Sequence, residues 1–299
     1  MLVNMILKGN ALAILSIALW GMAFPITEIL LMHWHPLLLA SARLLSASVC
    51  LIIILLSVKK THQFKTIPWT TVWYIGGLGV GVGTVLLVWG QQLSDPVTAS
   101  ILVTTLPIIA ILLGWSAGDE KLDWFIFTGV FLAITGGIIA APSFSETTIS
   151  FGGGEILILM ATILYAWYSR CCQRQLNQLS GYITAAVTLG TGGLVALIGS
   201  VLCLLFGLIP YKLDFSTTSV TLIIALGLGS AGISTYLWII STRMIGVTLA
   251  AFYVNLAPFF VMLANIALGG KLSFIQLLAA VVVVTGSIIA QLPRILKKL

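Results

Sequence analysis

Two charged residues stand well inside apolar stretches of the sequence, Glu28 and Arg43. Each lies roughly two helical turns from the intervening His33-Trp34-His35-Pro36 break, so a pair across that hairpin is geometrically open. A charge held in hydrocarbon costs at least about 2.5–3.5 kcal/mol, so each needs a partner or a wet cavity. One reading makes Glu28 a proton or cation site for coupling and Arg43 an anchor for a substrate carboxylate. The other makes them a structural salt bridge between the first two helices. Both stay open at this level.

Other side chains could complete a binding site. Trp20, Phe24, Tyr165, Tyr168, Tyr236 and Tyr253 fall near the middle of apolar segments, as do Trp167 and Trp238. Such rings could stack on a planar cargo or hold an ammonium by cation–π attraction, or simply pack. Trp34, Trp69, Trp73 and Trp124 sit at segment ends and suit an interfacial belt. Among the polar groups inside segments, Asn255 is expected to face a cavity, whereas Gln91, Thr104, Thr105, Ser234, Thr235 and Asn265 are expected to bond helices together. Pro25, Pro107 and Pro258 each remove a backbone donor near the middle of a helix, giving hinges or static kinks.

Several chemistries find no support. Gly77, Gly79, Gly81 and Gly83 sit in an apolar run with no preceding strand and no following Lys. They read as small residues for close helix packing rather than a phosphate loop. His33 and His35 have no third ligand nearby, so no metal site is expected, and no cofactor or catalytic residue is assigned. Cys50, Cys171, Cys172 and Cys203 contain no CxxC pair and read as apolar fillers.

The elements that must position these residues follow from composition. The chain is 60% hydrophobic and 7% charged over 299 residues, with a mean hydropathy of +1.15. A water-soluble surface needs about 25% charged residues, so the exterior must face lipid. Breaks divide the chain into ten apolar spans: 9–32, 36–58, 68–93, 95–117, 123–141, 151–171, 181–209, 217–242, 247–269 and 272–292. The first is as long as a full span and is read as a retained helix rather than a cleaved leader. With the N-terminus in the cytoplasm, eleven of the fourteen Lys and Arg fall inside, among them Lys59, Lys60, Lys65, Lys121, Arg174 and Lys297. That is the bias expected of cytoplasmic loops, and it places both termini inside. The net charge of +6 arises from few residues and is no nucleic-acid footprint.

An offset of 150 residues aligns Gly77-Leu78-Gly79 with Gly227-Leu228-Gly229, Val97-Thr98 with Val247-Thr248, and Lys121-Leu122 with Lys271-Leu272. It also aligns Thr135-Gly136 and Ile138-Ile139-Ala140 with Thr285-Gly286 and Ile288-Ile289-Ala290. Five spans separate the partners, an odd number, so the second copy would be inverted. The expected fold is therefore an all-α integral membrane protein of ten transmembrane helices in two inverted five-helix repeats, 1–146 and 147–299. Inverted repeats place a substrate site between the copies near the midplane.

At this point the residues resemble the EamA family of the drug/metabolite transporter superfamily. The likeness rests on Leu19-Trp20-Gly21 with Phe24, Ala42-Arg43-Leu44-Leu45, Leu106-Pro107, Asp119-Glu120-Lys121-Leu122, the acidic-start helix Glu155 to Tyr168, Leu256-Ala257-Pro258-Phe259 and Thr285-Gly286. Two features depart from it: Gly269-Gly270 stands where Gly-Glu is common, and Glu28 where a basic residue is frequent. The resemblance implies an alternating-access carrier with a cavity lined mainly by helices 1, 3, 4, 6, 8 and 9. Its cargo would be a small molecule, an exported amino acid or related amine being the first choice. Quaternary amines, drugs or nucleotide-like metabolites are the alternatives, as is a non-transporting structural or receptor protein. The partners implied are the lipid bilayer and the substrate, in a monomer or homodimer of a bacterial inner membrane.

Overall fold

The computed structural model describes residues 2–57, 66–94, 96–118, 123–140, 153–269 and 274–296. The expectations placed on Lys59, Lys60, Lys65, Asp95, Lys121, Gly270, Lys271, Lys297, Lys298 and the breaks at 119–122 and 143–146 lie outside them. All regular structure among the described residues is helical. Eight stretches are long and apolar enough to cross a membrane: α1 (Met5–Leu31), α2 (Pro36–Ser57), α3 (Trp69–Gln92), α4 (Pro96–Ser116), α6 (Gly154–Gln175), α7 (Gly181–Leu205), α8 (Thr217–Ile245) and α9 (Val247–Ala267). Between and after them run α5 (Trp124–Ala140) and α10 (Phe274–Leu296), of which Phe274–Gly286 counts as a shorter apolar helix.

The prolines set where these helices bend. In α1 a turn at Met22 separates Leu2–Gly21 from Ala23–Leu31, three residues before Pro25. In α4 the helix breaks at Thr104 and Thr105, and Pro107 opens the next stretch, Leu106–Ser116. In α9 a tight 3₁₀ turn, Tyr253–Leu256, precedes Ala257–Ala267, which carries Pro258 in its first turn. A proline is tolerated in a first turn because no donor is needed there. So Pro107 and Pro258 begin helices, rather than kinking continuous ones from the middle.

Glycine sets how closely the helices approach. Ile75–Val82 in α3 and Leu226–Ile233 in α8 are wound more widely, with i→i+5 bonding, at nearly matching places in the two halves. A methyl on Gly79 would come within 2.7 Å of Tyr168 Cβ, and one on Gly81 within 2.6 Å of the Gly192 carbonyl oxygen. Glycine is thus what seats α3 against α6 and α7, as the sequence reading expects.

The packing is paired. α1 lies along α8, α3 along α6, α2 along α7, α4 beside α9, and α5 along α10; α3 also packs on α7, and α2 on α8. Serine hydroxyls tie α1 to α8: Ser16 Oγ donates to the Ser234 carbonyl (2.8 Å), Ser234 Oγ to the Ser16 carbonyl (2.9 Å), and Ser241 Oγ to the Gly9 carbonyl (2.9 Å). Ser234 is thereby the interhelical bond its composition suggests.

Candidate functional site

Near the middle of the bundle a cavity is enclosed by α1, α2, α3, α4, α6, α7 and α8. The empty space within it is about 630 Å³, part of it open to solvent. Trp20, Tyr165 and Tyr168 form an aromatic wall, and Arg43 is the charged residue in the lining among the described residues. Trp20 and Tyr165 stack at 6.0 Å with planes 7° apart, and Tyr165 lies 5.8 Å from Tyr168. Tyr168 is fully buried and its hydroxyl shares a 2.9 Å hydrogen bond with Thr188 Oγ1. Trp238 closes the back: its indole N–H donates to Ser169 Oγ (3.0 Å) and its ring sits 6.0 Å from Tyr165.

Arg43 reaches this wall from α2. It is 5% exposed, and its Nε has no hydrogen-bond partner among the described residues. A guanidinium with an unspent donor beside an apolar, aromatic space is suited to a carboxylate, since arginine and carboxylate can pair through two parallel bonds. Leu87, Val103 and Leu189 supply the apolar remainder of the lining.

The structure divides the residues singled out in the sequence. Trp20, Tyr165, Tyr168 and Arg43 meet at the cavity. Phe24 stands behind Trp20, edge-on at 5.3 Å. Tyr236, Tyr253 and Asn255 do not reach it. Tyr236 packs edge-on against Tyr182 at 4.8 Å. Its neighbour Thr235 lines the cavity instead, because one residue turns a helix by about 100°. Tyr253 rests on the apolar core beside the break in α9. Asn255 is buried in that break, with both amide atoms unpartnered among the described residues. Glu28 is exposed on α1 and Arg43 buried in the lining, so the two occupy different surroundings. Gln91 bonds helices as expected, donating from Nε2 to the Phe24 carbonyl. The cavity also uses Thr84, Thr162 and Ser230, which the sequence reading left aside. Thr162 stands one turn before Tyr165, and that spacing was the available signal.

Both ends of the bundle are latched. At one end Lys212 Nζ donates to the Leu31 carbonyl (3.0 Å), His35 N–H to the Lys212 carbonyl (3.0 Å), and Trp34 Nε1 to the Asp214 carbonyl (3.0 Å). Trp34 is therefore a buried strut, 5% exposed, rather than a belt residue. The Asp214 carboxylate accepts from the Ser216 and Ser219 hydroxyls and from the Ser216 amide, which hold its pKa down at about 2. Partial burial, then the Lys212 charge, lowers the pKa of His35. At the other end Arg243 donates to the Leu179, Leu176 and Thr184 oxygens at 2.7, 2.9 and 3.1 Å.

A bundle of apolar helices around a latched, partly polar cavity defines an integral membrane protein built to enclose a small molecule. The profile of the EamA-like transporter family matches residues 7–141 and again 152–291, and the chain belongs to that family. Among curated relatives, "Uncharacterized inner membrane transporter YedA" of Escherichia coli K12 is 26% identical across 93% of this chain and 89% of its own. "Uncharacterized transporter YyaM" of Bacillus subtilis is 25% identical across 82% and 81%. A "Probable terminal-alkyne amino-acid exporter" of Streptantibioticus cattleyicolor is 25% identical across 60% of this chain and 59% of its own. A solved structure described only as "Crystal structure of protein" superposes with a TM-score of 0.68 at 19% identity, covering 95% of this chain and 96% of the other, which shows a shared fold.

Proposed function

We propose that this transporter is a secondary carrier that exports an amino acid or closely related amine by alternating access around the central cavity. The observation that carries the proposal is Arg43, buried in the lining with an unspent donor beside Trp20, Tyr165 and Tyr168. The carboxylate would pair with the guanidinium, and the ammonium would lie against the ring faces. The name borne by the Streptantibioticus relative agrees with such a cargo. Phe24 supports Trp20 in this reading; Tyr236, Tyr253 and Asn255 have no part in contacting the cargo.

We further read the chain as ten crossing helices in two inverted repeats, 1–146 and 147–299. Two family matches support the boundaries. The packing supports the symmetry: exchanging the first five helices with the last five converts α1–α8 into α6–α3 and α2–α8 into α7–α3, and returns α2–α7, α4–α9 and α5–α10 to themselves. Alternating access then parts one latch while the other holds, with the breaks beside Pro25, Pro107 and Pro258 as hinges. The Lys and Arg bias supports cytoplasmic termini, and the YedA relative's name supports a bacterial inner membrane.

A quaternary-amine carrier would use the same aromatic wall, but a buried arginine repels a permanent cation. Thermal stabilisation of the purified protein separates the two. Amino acids should raise the melting temperature, their decarboxylated amines should not, and Arg43→Ala should abolish the effect. Stabilisation by tetraalkylammonium ions alone would overturn the amino-acid reading.

A further inference from the structure

The wide turn of α8 sets two hydroxyls on the cavity. Ser230 and Thr235 both belong to the lining, although residues five apart face about 140° away from each other on a regular α-helix. The i→i+5 winding of Leu226–Ile233 swings such positions back onto one face. Both residues are buried. Ser230 Oγ spends its only proton on the Leu226 carbonyl (2.9 Å), so toward the cavity it is an acceptor. Thr235 Oγ1 has no hydrogen-bond partner among the described residues, so it can still donate. At the 150-residue offset these two positions correspond to Val80 and Val85. Val80 lines the same cavity from the wide turn of α3. One wide turn thus offers hydroxyls to the space where its counterpart offers apolar surface.

Close glycine contacts give the depth of each group. A methyl on Gly227 would meet Ser46 Oγ and the Ala47 amide nitrogen, and one on Gly232 would meet Leu51 Cγ and the Ala47 carbonyl oxygen. α2 and α8 therefore run in one direction, and Ser230, between the two glycines, is level with Ala47. Ala47 lies four residues past Arg43, or about 6 Å along α2. Helical side chains lean toward the N-terminus of their own helix, so Arg43 leans away from that level. Thr235 lies further along again. Thr84 and Thr162, by contrast, share the depth of Arg43. Gly193 packs on Leu45 and Gly190 on Ser48, so α7 runs against α2; Gly81 packs on Gly192 and Gly76 on Thr188, so α3 runs with α7. Two residues back from Leu45, Arg43 is thereby level with Gly83 and Thr84. Gly83 in turn faces Leu164 Cβ and the Ala161 carbonyl oxygen, on either side of Thr162. The lining is therefore layered, with Arg43, Thr84 and Thr162 at one depth and Ser230 and Thr235 beyond them. Among the described residues none of the lining is acidic.

We propose that Ser230 and Thr235 set the specificity of the carrier for its cargo's side chain, selecting amino acids that end in a neutral carboxamide. The inference rests on the carrier reading above and names its substrate class. The carboxylate pairs with Arg43 at the first depth. There the Thr162 hydroxyl, its proton spent on the Ile158 carbonyl (2.7 Å), adds an acceptor for the ammonium beside the ring faces. A side chain whose terminal group lies about 6 Å further along reaches the second depth. A carboxamide answers both hydroxyls there: its N–H donates to Ser230 and its oxygen accepts from Thr235. A thioether of the same length makes neither bond and leaves both hydroxyls facing it unpaired. A carboxylate would bring a second charge to a layer without a cation, and an ammonium would find no acid.

The test is thermal stabilisation of the purified full-length protein, titrated with glutamine, methionine and glutamate, which are alike in length. The proposal expects a half-maximal glutamine concentration about tenfold or more below those of methionine and glutamate. It also expects Ser230→Ala and Thr235→Val each to raise the glutamine value toward the methionine value. Methionine or glutamate acting at the same concentration as glutamine, or lower, would overturn the assignment. So would variants that weaken glutamine and methionine by the same factor, which marks a structural role. The wild-type comparison decides the matter even where a variant fails to fold. If other amino acids stabilise in an Arg43-dependent way while glutamine does not, this assignment fails and the carrier reading stands. If no amino acid stabilises, the amino-acid reading falls and this assignment with it.

Discussion

Replacing Gly79 by alanine tests the glycine-mediated seating of α3 on α6 and, with it, the shape of the cavity wall. The added carbon would lie 2.7 Å from Tyr168 Cβ and 3.4 Å from Trp167 Cζ3. An ordinary contact begins near 3.4 Å, so α3 and α6 must separate by about 0.7 Å. Tyr168 cannot swing aside, because its Cβ is fixed to the backbone and its hydroxyl is tied to Thr188. Overpacking of this kind costs about 1–3 kcal/mol, and alanine returns about 1 kcal/mol through its helix propensity. The net is a loss of about 1 kcal/mol. Gly229 is the counterpart of Gly79 at the 150-residue offset, yet a methyl there meets nothing within 4 Å among the described residues. Gly229→Ala should therefore be neutral or stabilise by up to about 1 kcal/mol. Reversible unfolding in mixed micelles, followed by circular dichroism, should place the two variants about 1–2 kcal/mol apart, with Gly79→Ala the less stable. Equal stabilities, or a more stable Gly79→Ala, would refute the close approach of α3 and α6.

The serine latch between α1 and α8 should show coupling: Ser16→Ala and Ser234→Ala each lose about 0.6–1.7 kcal/mol in the same unfolding assay, and the double variant loses less than their sum. The Asp214 turn gives a pH dependence. Its lowered pKa means that the tether is fully present above the ordinary value of 3.8 and is lost as pH falls through about 2. Hydrogen exchange of residues 214–219 should be slower in wild type than in Asp214→Asn at about pH 6, and the two should converge about one pH unit below the lowered pKa, near pH 1. A difference that persists there would show that the carboxylate does not hold the turn.

Much of this architecture is written in the sequence. Apolar length and the breaks between segments give the helices, Pro107 and Pro258 fall where α4 and α9 restart, and the Gly77 to Gly83 run foretells close packing. The aromatic and charged part of the cavity wall is legible as well, since Trp20, Arg43, Tyr165 and Tyr168 are unusual residues at middle depth. Depth, however, does not fix rotation about a helix axis. Thr235 and Tyr236 have equal depth but face different ways, and only the packing of α8 on α1 decides between them. Asn255 lies within the 3₁₀ turn of α9, buried away from the lining. Glu28 reads as the intramembrane acid, yet lies exposed.

The most direct measurement for the central claim is counterflow in proteoliposomes, with a panel of radiolabelled amino acids outside and the matching unlabelled compound inside. Wild-type protein should accumulate at least one of them, and Arg43→Ala should reduce that exchange by about tenfold or more, the loss expected when a charge-assisted pair is removed. Tyr236→Ala, whose ring lies against Tyr182 away from the cavity, should retain it. Exchange by folded Arg43→Ala at the wild-type rate, or no exchange of any amino acid by wild type, would contradict the account.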